Sequence, residues 1–246
     1  MIRINAAADA LDRRAVIKVV GLGGAGGNAV NRLAEAAVRD VELIAANTDA
    51  QVLRRSKAHL RVQLGETLTK GLGVGGDPKK GRSAALESQE QLRELVAQSD
   101  LIFITAGMGG GTGTGAAGVV AQLAKETGAL VIGVVSRPFS FEGAEKASLA
   151  EEGIQEMRRH VDTLLIIPND SISSVITDQT SSAEAYKLAD EVLRKSIQSI
   201  SDIITTPGEL NVDLNDIRAI MERAGEAHIG IGEAAGTARH LEAAKE

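Results

Sequence analysis

A chain of 246 residues, 43% of them apolar, suits one large or two small domains, and with only 2% aromatics its core must be aliphatic and Ala-rich, as in sheets covered by helices on both faces. A net charge of −6 without a basic block argues against nucleic acid as a main partner. The lack of cysteine excludes disulfides and thiolate chemistry and fits a cytosolic chain; the four histidines are scattered without metal-ligand spacing, and the chain has neither a signal-peptide core nor an apolar run of about 18 residues, which argues against membrane insertion.

Residues 1–14 are polar and Ala-rich and read as a loose arm. Residues 15–20 predict a strand that runs into Gly21-Leu22-Gly23-Gly24-Ala25-Gly26-Gly27-Asn28, and 29–37 predict a helix. Gly21, Gly23 and Gly26 also fit the dinucleotide fingerprint G-x-G-x-x-G, a weak signal by itself. The strand predicted over 41–46 ends in Asn47-Thr48-Asp49, which suits either the ligand crevice of an open α/β sheet or a plain capped turn. A short strand follows at 60–64. The glycine-rich stretch 71–78 reads equally as a flap near a ligand or a solvent loop, and 80–97 as a charged amphipathic helix. Leu101 to Ile104 is an apolar run typical of a buried parallel strand; Gly109-Gly110-Gly111-Thr112-Gly113-Thr114-Gly115 follows, then a helix over 116–125. Residues 129–135 form the next strand, 137–143 a turn, 144–160 a helix and 163–167 a sixth strand ended by Pro168-Asn169-Asp170. This alternation predicts a Rossmann-like, three-layer α/β fold: a parallel sheet with right-handed crossovers and helices on both faces. Residues 181–205 carry apolar positions at spacings of three and four, which predicts one amphipathic helix roughly 35 Å long, stopped by Thr206-Pro207-Gly208. Asp213 is placed to cap a helix running to about 224; capping leaves Asn211 and Asp216 unexplained. The remainder is Gly- and Ala-rich, with a short helix expected over 238–245.

The glycine stretch at 109–115 organises this pattern. Five glycines in seven positions let backbone N–H groups approach a ligand closely, and the following helix adds its own unpaired N–H groups and positive dipole end. The combination suits a phosphate, with Thr112 and Thr114 as uncharged hydroxyl donors. Two such loops and a flap suggest a polyphosphate. No Gly-Lys dipeptide occurs, so a P-loop is excluded, and the negative charge must be met by backbone N–H groups, helix dipoles and a bound Mg²⁺.

The Gly-Gly-Gly-Thr-Gly-Thr-Gly loop is similar to the signature loop of the tubulin superfamily. Lys18 to Gly21 with Gly24 to Asn31, Asn47 to Gln51, Pro138 to Gly143, Ile167 to Asp170 and Asn211-Val212-Asp213 narrow the resemblance to the FtsZ family of bacterial cell-division GTPases, over about 15–236. The resemblance implies a GTP/GDP-binding domain over 15–180, a central helix over 181–205, and a segment over 206–246 bearing the catalytic loop. Gly24, Ala25, Gly26, Gly27 and Asn28 would meet phosphates and sugar. Gly110, Gly111, Thr112 and Gly113 would cradle the β- and γ-phosphates, and Lys146 would contact phosphate. Glu142 would hold the ribose, Asn169 and Asp190 would recognise guanine, and Tyr186 would lie against the base. Asn211, Asp213 and Asp216 would act in trans, beside the γ-phosphate of the next subunit, so that hydrolysis follows head-to-tail self-assembly or assembly with a full-length relative. Other division proteins would be further partners, and the location the cytoplasm at the division site.

Three departures stand out. Lys146 replaces a usual Arg, a point charge for a planar fork. Ala25 replaces a common Gly, and Tyr186 stands where the family has Phe. The chain also ends at Glu246, where the family continues into a second domain, which is expected to leave one flank of the 181–205 helix uncovered. Two other readings compete. One is a filament-capping or regulatory module without efficient hydrolysis. The other is an NAD-dependent oxidoreductase resting on Gly21, Gly23 and Gly26; it needs an acid about 20 residues on, where Asp40 precedes its strand and Asp49 comes late, and it leaves 109–115 without a role.

Overall fold

The computed structural model describes residues 15–174, 180–205, 213–230, 232, 234–237 and 239–243. The arm at 1–14 and Asn211 therefore lie outside the described residues. Strands β1 (Ile17–Leu22) and β2 (Val41–Asn47) flank helix α1 (Gly23–Glu35); α2 (Ala50–Arg54), β3 (Leu60–Gln63) and α3 (Glu66–Thr69) follow. Next come α4 (Pro78–Glu87), α5 (Gln89–Val96), β4 (Leu101–Gly107), α6 (Thr112–Glu126), β5 (Leu130–Arg137), α7 (Ala144–Arg158) and β6 (Thr163–Pro168). The chain continues through α8 (Ser182–Thr205), α9 (Leu214–Met221), β7 (Gly225–Ala227) and α10 (Arg239–Ala243).

The sheet order is β3-β2-β1-β4-β5-β6-β7, with every pairing parallel. Alternate residues of each strand face two cores. Val20, Leu22, Ile102 and Ile104 pack with α4, α5, α6 and α7 on one side. Ile17, Val19, Leu101 and Phe103 pack with α1, α8 and α9 on the other. This is the three-layer α/β sandwich the strand–helix alternation predicts. The order reverses between β1 and β4, which leaves a crevice outside their carboxyl ends, where open α/β sheets bind ligands.

Several elements differ from expectation. The helix predicted over 80–97 breaks at Ser88, whose hydroxyl accepts the Gly65 N–H at 3.0 Å. The helix after the 109–115 loop starts at Thr112 rather than 116, so Gly113 and Gly115 belong to its first turn. A Cβ on Gly115 would lie 2.1 Å from the Pro78 carbonyl oxygen, so α4 and α6 touch backbone to backbone there. The first glycine stretch is likewise not a separate loop: β1 extends through Leu22 and α1 begins at Gly23. β7 is an addition; its three residues pair with the edge of β6, Thr163 opposite Gly225. The long helix has Ala185, Ala189, Leu193, Ile197 and Ile200 buried as the periodicity requires, whereas Ile203 near its end is 49% exposed. Among the described residues no helix is long and apolar enough to cross a membrane.

Candidate functional site

A cleft of about 370 Å³ opens at the carboxyl ends of β1, β2, β4, β5 and β6. Each wall has a local cause. Gly23, at φ +70°, turns the chain from β1 into α1, and its Cα abuts α6: a Cβ there would sit 2.9 Å from the Gly113 nitrogen. Gly109, at φ +97°, begins the second loop and donates its N–H to the Thr114 hydroxyl at 2.9 Å. Gly111 is packed from behind, where a Cβ would meet Val74 at 2.6 Å and the Asp77 nitrogen at 2.9 Å. Two helix N-termini, those of α1 and α6, thus converge on one cleft and turn their positive dipole ends toward it.

Gly24, Ala25, Gly110, Gly111, Thr112, Gly113, Glu142, Lys146, Asn169, Tyr186 and Asp190 all line this cleft, though they come from five separate stretches of chain. Gly26 does not; it is buried where α1 crosses β4, and a Cβ would lie 2.3 Å from the Thr105 carbonyl oxygen. Gly27 is buried and is also not part of the lining. Asn28 acts from the second row, donating its side-chain N–H to Asp190 Oδ2 at 3.1 Å. Thr114 is corrected too: it is 6% exposed and its hydroxyl serves Gly109 within the loop. Of the stretches read two ways in the sequence, 47–49 does both, since Asp49 also caps α2 by accepting from the Gln51 and Val52 N–H groups, and the glycine stretch reaches the cleft. Asn47, Thr48 and Asp49 line it, and so do Gly73, Val74, Gly75 and Gly76 of the flap. Leu22, Val52, Gly107, Met108, Pro138 and Ala189 also belong to the lining.

An aromatic cluster backs one wall of the cleft, and of its rings only Tyr186 reaches the lining. Phe139 stacks on Phe141 at 4.9 Å and meets the Tyr186 ring edge-on at 5.6 Å, so three of the chain's four aromatic residues gather here. That concentration in an aromatic-poor chain is a signal that spacing alone did not use. Glu142 ties the wall together. Its carboxylate accepts from the Phe139 N–H at 2.9 Å and from Lys146 Nζ at 2.7 Å, and the Tyr186 hydroxyl also donates to it. Burial opposes its ionisation, but these hydrogen bonds outweigh burial and hold its carboxyl below the usual range. The Tyr186 hydroxyl is pushed up to about 12, by burial first and then by Glu142. Asp190, 7% exposed, is pushed up to about 6 by burial, against the opposing Asn28 hydrogen bond and the Arg32 charge. Asn169, 5% exposed, has a buried side-chain oxygen without a partner among the described residues. A buried acceptor left unpaired at a cleft is a place for a ligand donor.

Asp213 and Asp216 are elsewhere. They cap α9 reciprocally: the Asp216 N–H donates to Asp213 Oδ1 at 2.9 Å and the Asp213 N–H to Asp216 Oδ2 at 3.2 Å. Capping therefore accounts for both acids, not for one. α9 docks under the amino ends of the strands, where Arg218 donates to the carbonyls of Gly128 at 3.3 Å and Asp100 at 3.2 Å, just before β5 and β4. The seven residues of β4 alone, at about 3.3 Å each, put that end about 20 Å from the cleft. The dinucleotide reading fares worse: it leaves the second glycine loop, which lines the cleft, without a role, and Asp40 precedes β2 at the end away from the cleft.

Comparison with known proteins agrees with this geometry. Residues 16–177 match the family described as Tubulin/FtsZ family, GTPase domain. The chain is similar to an FtsZ dimer from M. jannaschii, with 43% identity over 96% of this chain and 69% of that one and a TM-score of 0.92. It is more distantly similar to CetZ2 from Haloferax volcanii, solved as a GTPγS-bound protofilament, at 26% identity over 89% of this chain and 66% of that one, TM-score 0.75. CetZ1 from the same organism, a GDP-bound monomer, gives 26% identity over 89% and 67%, TM-score 0.75.

Proposed function

The chain belongs to the tubulin/FtsZ family, and from that premise we propose that it binds GTP in the cleft and hydrolyses it only between copies stacked head to tail. One observation carries the second half: cleft and acids sit at opposite ends of a single parallel sheet. About 20 Å of strand separates them, so Asp213 and Asp216 reach a nucleotide only if it is held by another molecule. Repeating that contact without closure builds a filament.

In this reading the N–H groups at the starts of α1 and α6 bind phosphate oxygens, with Thr112 donating its hydroxyl. Glu142 accepts from the ribose. Asp190 accepts from the guanine N1–H and amino group, a pair of donors adenine lacks, and Asn169 supplies the adjacent polar contact. Across the junction Asn211, Asp213 and Asp216 orient the attacking water. The cleft's acids are already engaged: Asp49 by the N–H groups of Gln51 and Val52, Glu142 by Lys146, Asp190 by Asn28. That donor set suits a Mg²⁺ held chiefly by phosphate oxygens and water, and when bound the ion would neutralise charge on the triphosphate. Residues 15–180 would form the nucleotide-binding unit, 181–205 its central helix and 206–246 the acid-bearing segment. The proposal extends to a role in cell division, in the cytoplasm at the division site, which the family membership supports without establishing.

Mixing two disabled chains tests the proposal. Asp213→Asn keeps an N-cap but removes an acid, and Asp190→Ala disables the cleft. Each alone should turn over GTP slowly, and the mixture should recover activity, because the intact cleft of one faces the intact acids of the other. A mixture no faster than the sum of its parts sinks in-trans hydrolysis.

A further inference from the structure

The β5–β6 ladder ends with Arg137 opposite Pro168, and the two chains leave it side by side. After β5 a short turn, Ser140–Glu142, brings Glu142 to the cleft. After β6 a second short turn follows, Asn169–Ser174. Asp170 joins the two: one of its carboxylate oxygens accepts the Ser140 N–H at 3.0 Å and the Ser140 hydroxyl at 3.2 Å. The second turn also supports the first through apolar contact, because Ile172 shares a buried cluster with Phe139, Ala185 and Ala189. Ser140 itself is exposed, so its hydrogen bonds to Asp170, rather than packing, locate that corner of the turn.

Within the turn, position passes from Ser140 to the Glu142 carboxylate through Phe139. The Glu142 N–H donates to the Phe139 carbonyl at 3.0 Å, and the Glu142 carboxylate accepts the Phe139 N–H at 2.9 Å. Phe139 is thus bonded twice to Glu142 and adjoins Ser140 in the chain, so a shift at Ser140 carries the carboxylate with it. The Glu142 side chain is only 8% exposed, so it offers the cleft a narrow target rather than a free arm. A hydrogen bond weakens steeply once its angle departs from the optimum. A displaced carboxylate would therefore lose a sugar hydroxyl while the phosphate and base contacts, which come from other segments, persist. Asn169, whose orphan oxygen faces the cleft, directly precedes Asp170, so the polar group for the base and the clasp behind the sugar acceptor are neighbours on one turn.

We propose that Asp170 is a positioning residue for sugar recognition: by clasping Ser140 it fixes the turn that carries Glu142, and so sets how strongly the cleft prefers a nucleotide with ribose hydroxyls. The inference rests on the guanine-nucleotide reading above. Asp170 is not part of the cleft lining and acts through Glu142.

Equilibrium affinities for GDP and for 2′,3′-dideoxy-GDP test this without turnover. The native chain should prefer GDP by about tenfold, the worth of a hydrogen bond to a carboxylate. Asp170→Ala should cut that preference to about threefold or less, with the loss falling on GDP and dideoxy-GDP affinity held within about twofold. Asp170→Asn keeps an accepting oxygen and should stay near native. Ser140→Ala removes the hydroxyl but not the N–H, so it should fall between the two, and joined to Asp170→Ala it should add no further loss, because both remove one contact. A sugar preference undiminished in Asp170→Ala overturns the proposal, as does a variant that weakens both nucleotides equally. Asp170→Asn as impaired as Asp170→Ala, or a double variant whose losses add, counts against it in the same way. A native chain that binds the two nucleotides alike removes the sugar contact and the proposal with it; one that binds neither removes the guanine-nucleotide reading itself.

Discussion

Asp190 pairs burial with a carboxylate that the proposed base contact needs ionised. Its folded value of about 6 lies above the ordinary 3.8, so the folded chain holds a proton there that the unfolded chain has already released. The stabilising effect of that proton is complete below pH 3.8 and disappears as pH rises through about 6, so above pH 6 the ionised group weighs against folding. Asp190→Asn should therefore raise unliganded stability at pH 7.5 by on the order of 1–3 kcal/mol in denaturant titration, while weakening GTP binding. In the native chain GTP affinity should fall between pH 7 and 5, up to about tenfold per unit below the folded value, as isothermal titration would register; a flat profile would remove the carboxylate from base recognition. Tyr186 is a gentler case. Tyr186→Phe strips one donor from Glu142 but leaves the ring edge on Phe139, and the Phe139 N–H and Lys146 still hold the carboxylate. GTP affinity should change by no more than about threefold.

Between elements, the contact of α4 with α6 controls the shape of the phosphate loop. A Cβ on Gly81 would lie 2.3 Å from the Gly111 carbonyl oxygen, and one on Gly115 would lie 2.1 Å from Pro78 and 2.5 Å from the Arg82 nitrogen. All three obstacles are backbone, so no side chain can swing away. Gly115→Ala should lower unfolding free energy by about 1–3 kcal/mol or more, and should widen the cleft from behind, weakening nucleotide binding as well. Unchanged stability would mean that the two helices separate at little expense. α9 is held by Arg218 on two carbonyls and by Ile217 in the core, with the Asp213–Asp216 box at its start. The acids therefore sit on a fixed helix end.

At the scale of the whole molecule, the parallel sheet works as a spacer with a different chemistry at each end. The carboxyl ends of the strands present two helix N-termini, a wall backed by aromatic rings and a flap, and the amino ends present two carboxylates on α9. On the proposed reading these two ends meet between copies, a head-to-tail contact that stacks rather than pairs. Turnover per chain should then rise with chain concentration and level off once junctions saturate, measured as phosphate release over a dilution series. A rate per chain independent of concentration would place hydrolysis within a single copy.

Local chemistry made much of this protein readable from its residues. Strand and helix alternate because buried parallel strands need unbroken apolar runs, and α8 shows its length through the spacing of Ala185, Ala189, Leu193 and Ile197. The glycines announced the cleft because only they permit Gly109's positive φ and the backbone contact at Gly115. β7 escaped notice since three residues carry no periodicity, and the segment becomes a strand only because the edge of β6 offers it a ladder. The roles of the glycines also separated only in space: Gly24 faces the cleft, while Gly26 serves the crossing of α1 over β4. The link from Asn28 to Asp190 spans 162 positions and that from Ser140 to Asp170 spans 30, distances over which neighbouring residues exert no constraint. Sequence alone therefore determined which chemical groups were present and which turns and helices carried them. Tertiary structure decided which groups meet and at which end of the sheet, because the reversal of strand order between β1 and β4 opens the crevice that gathers distant segments, while α9 docks at the opposite ends of the strands.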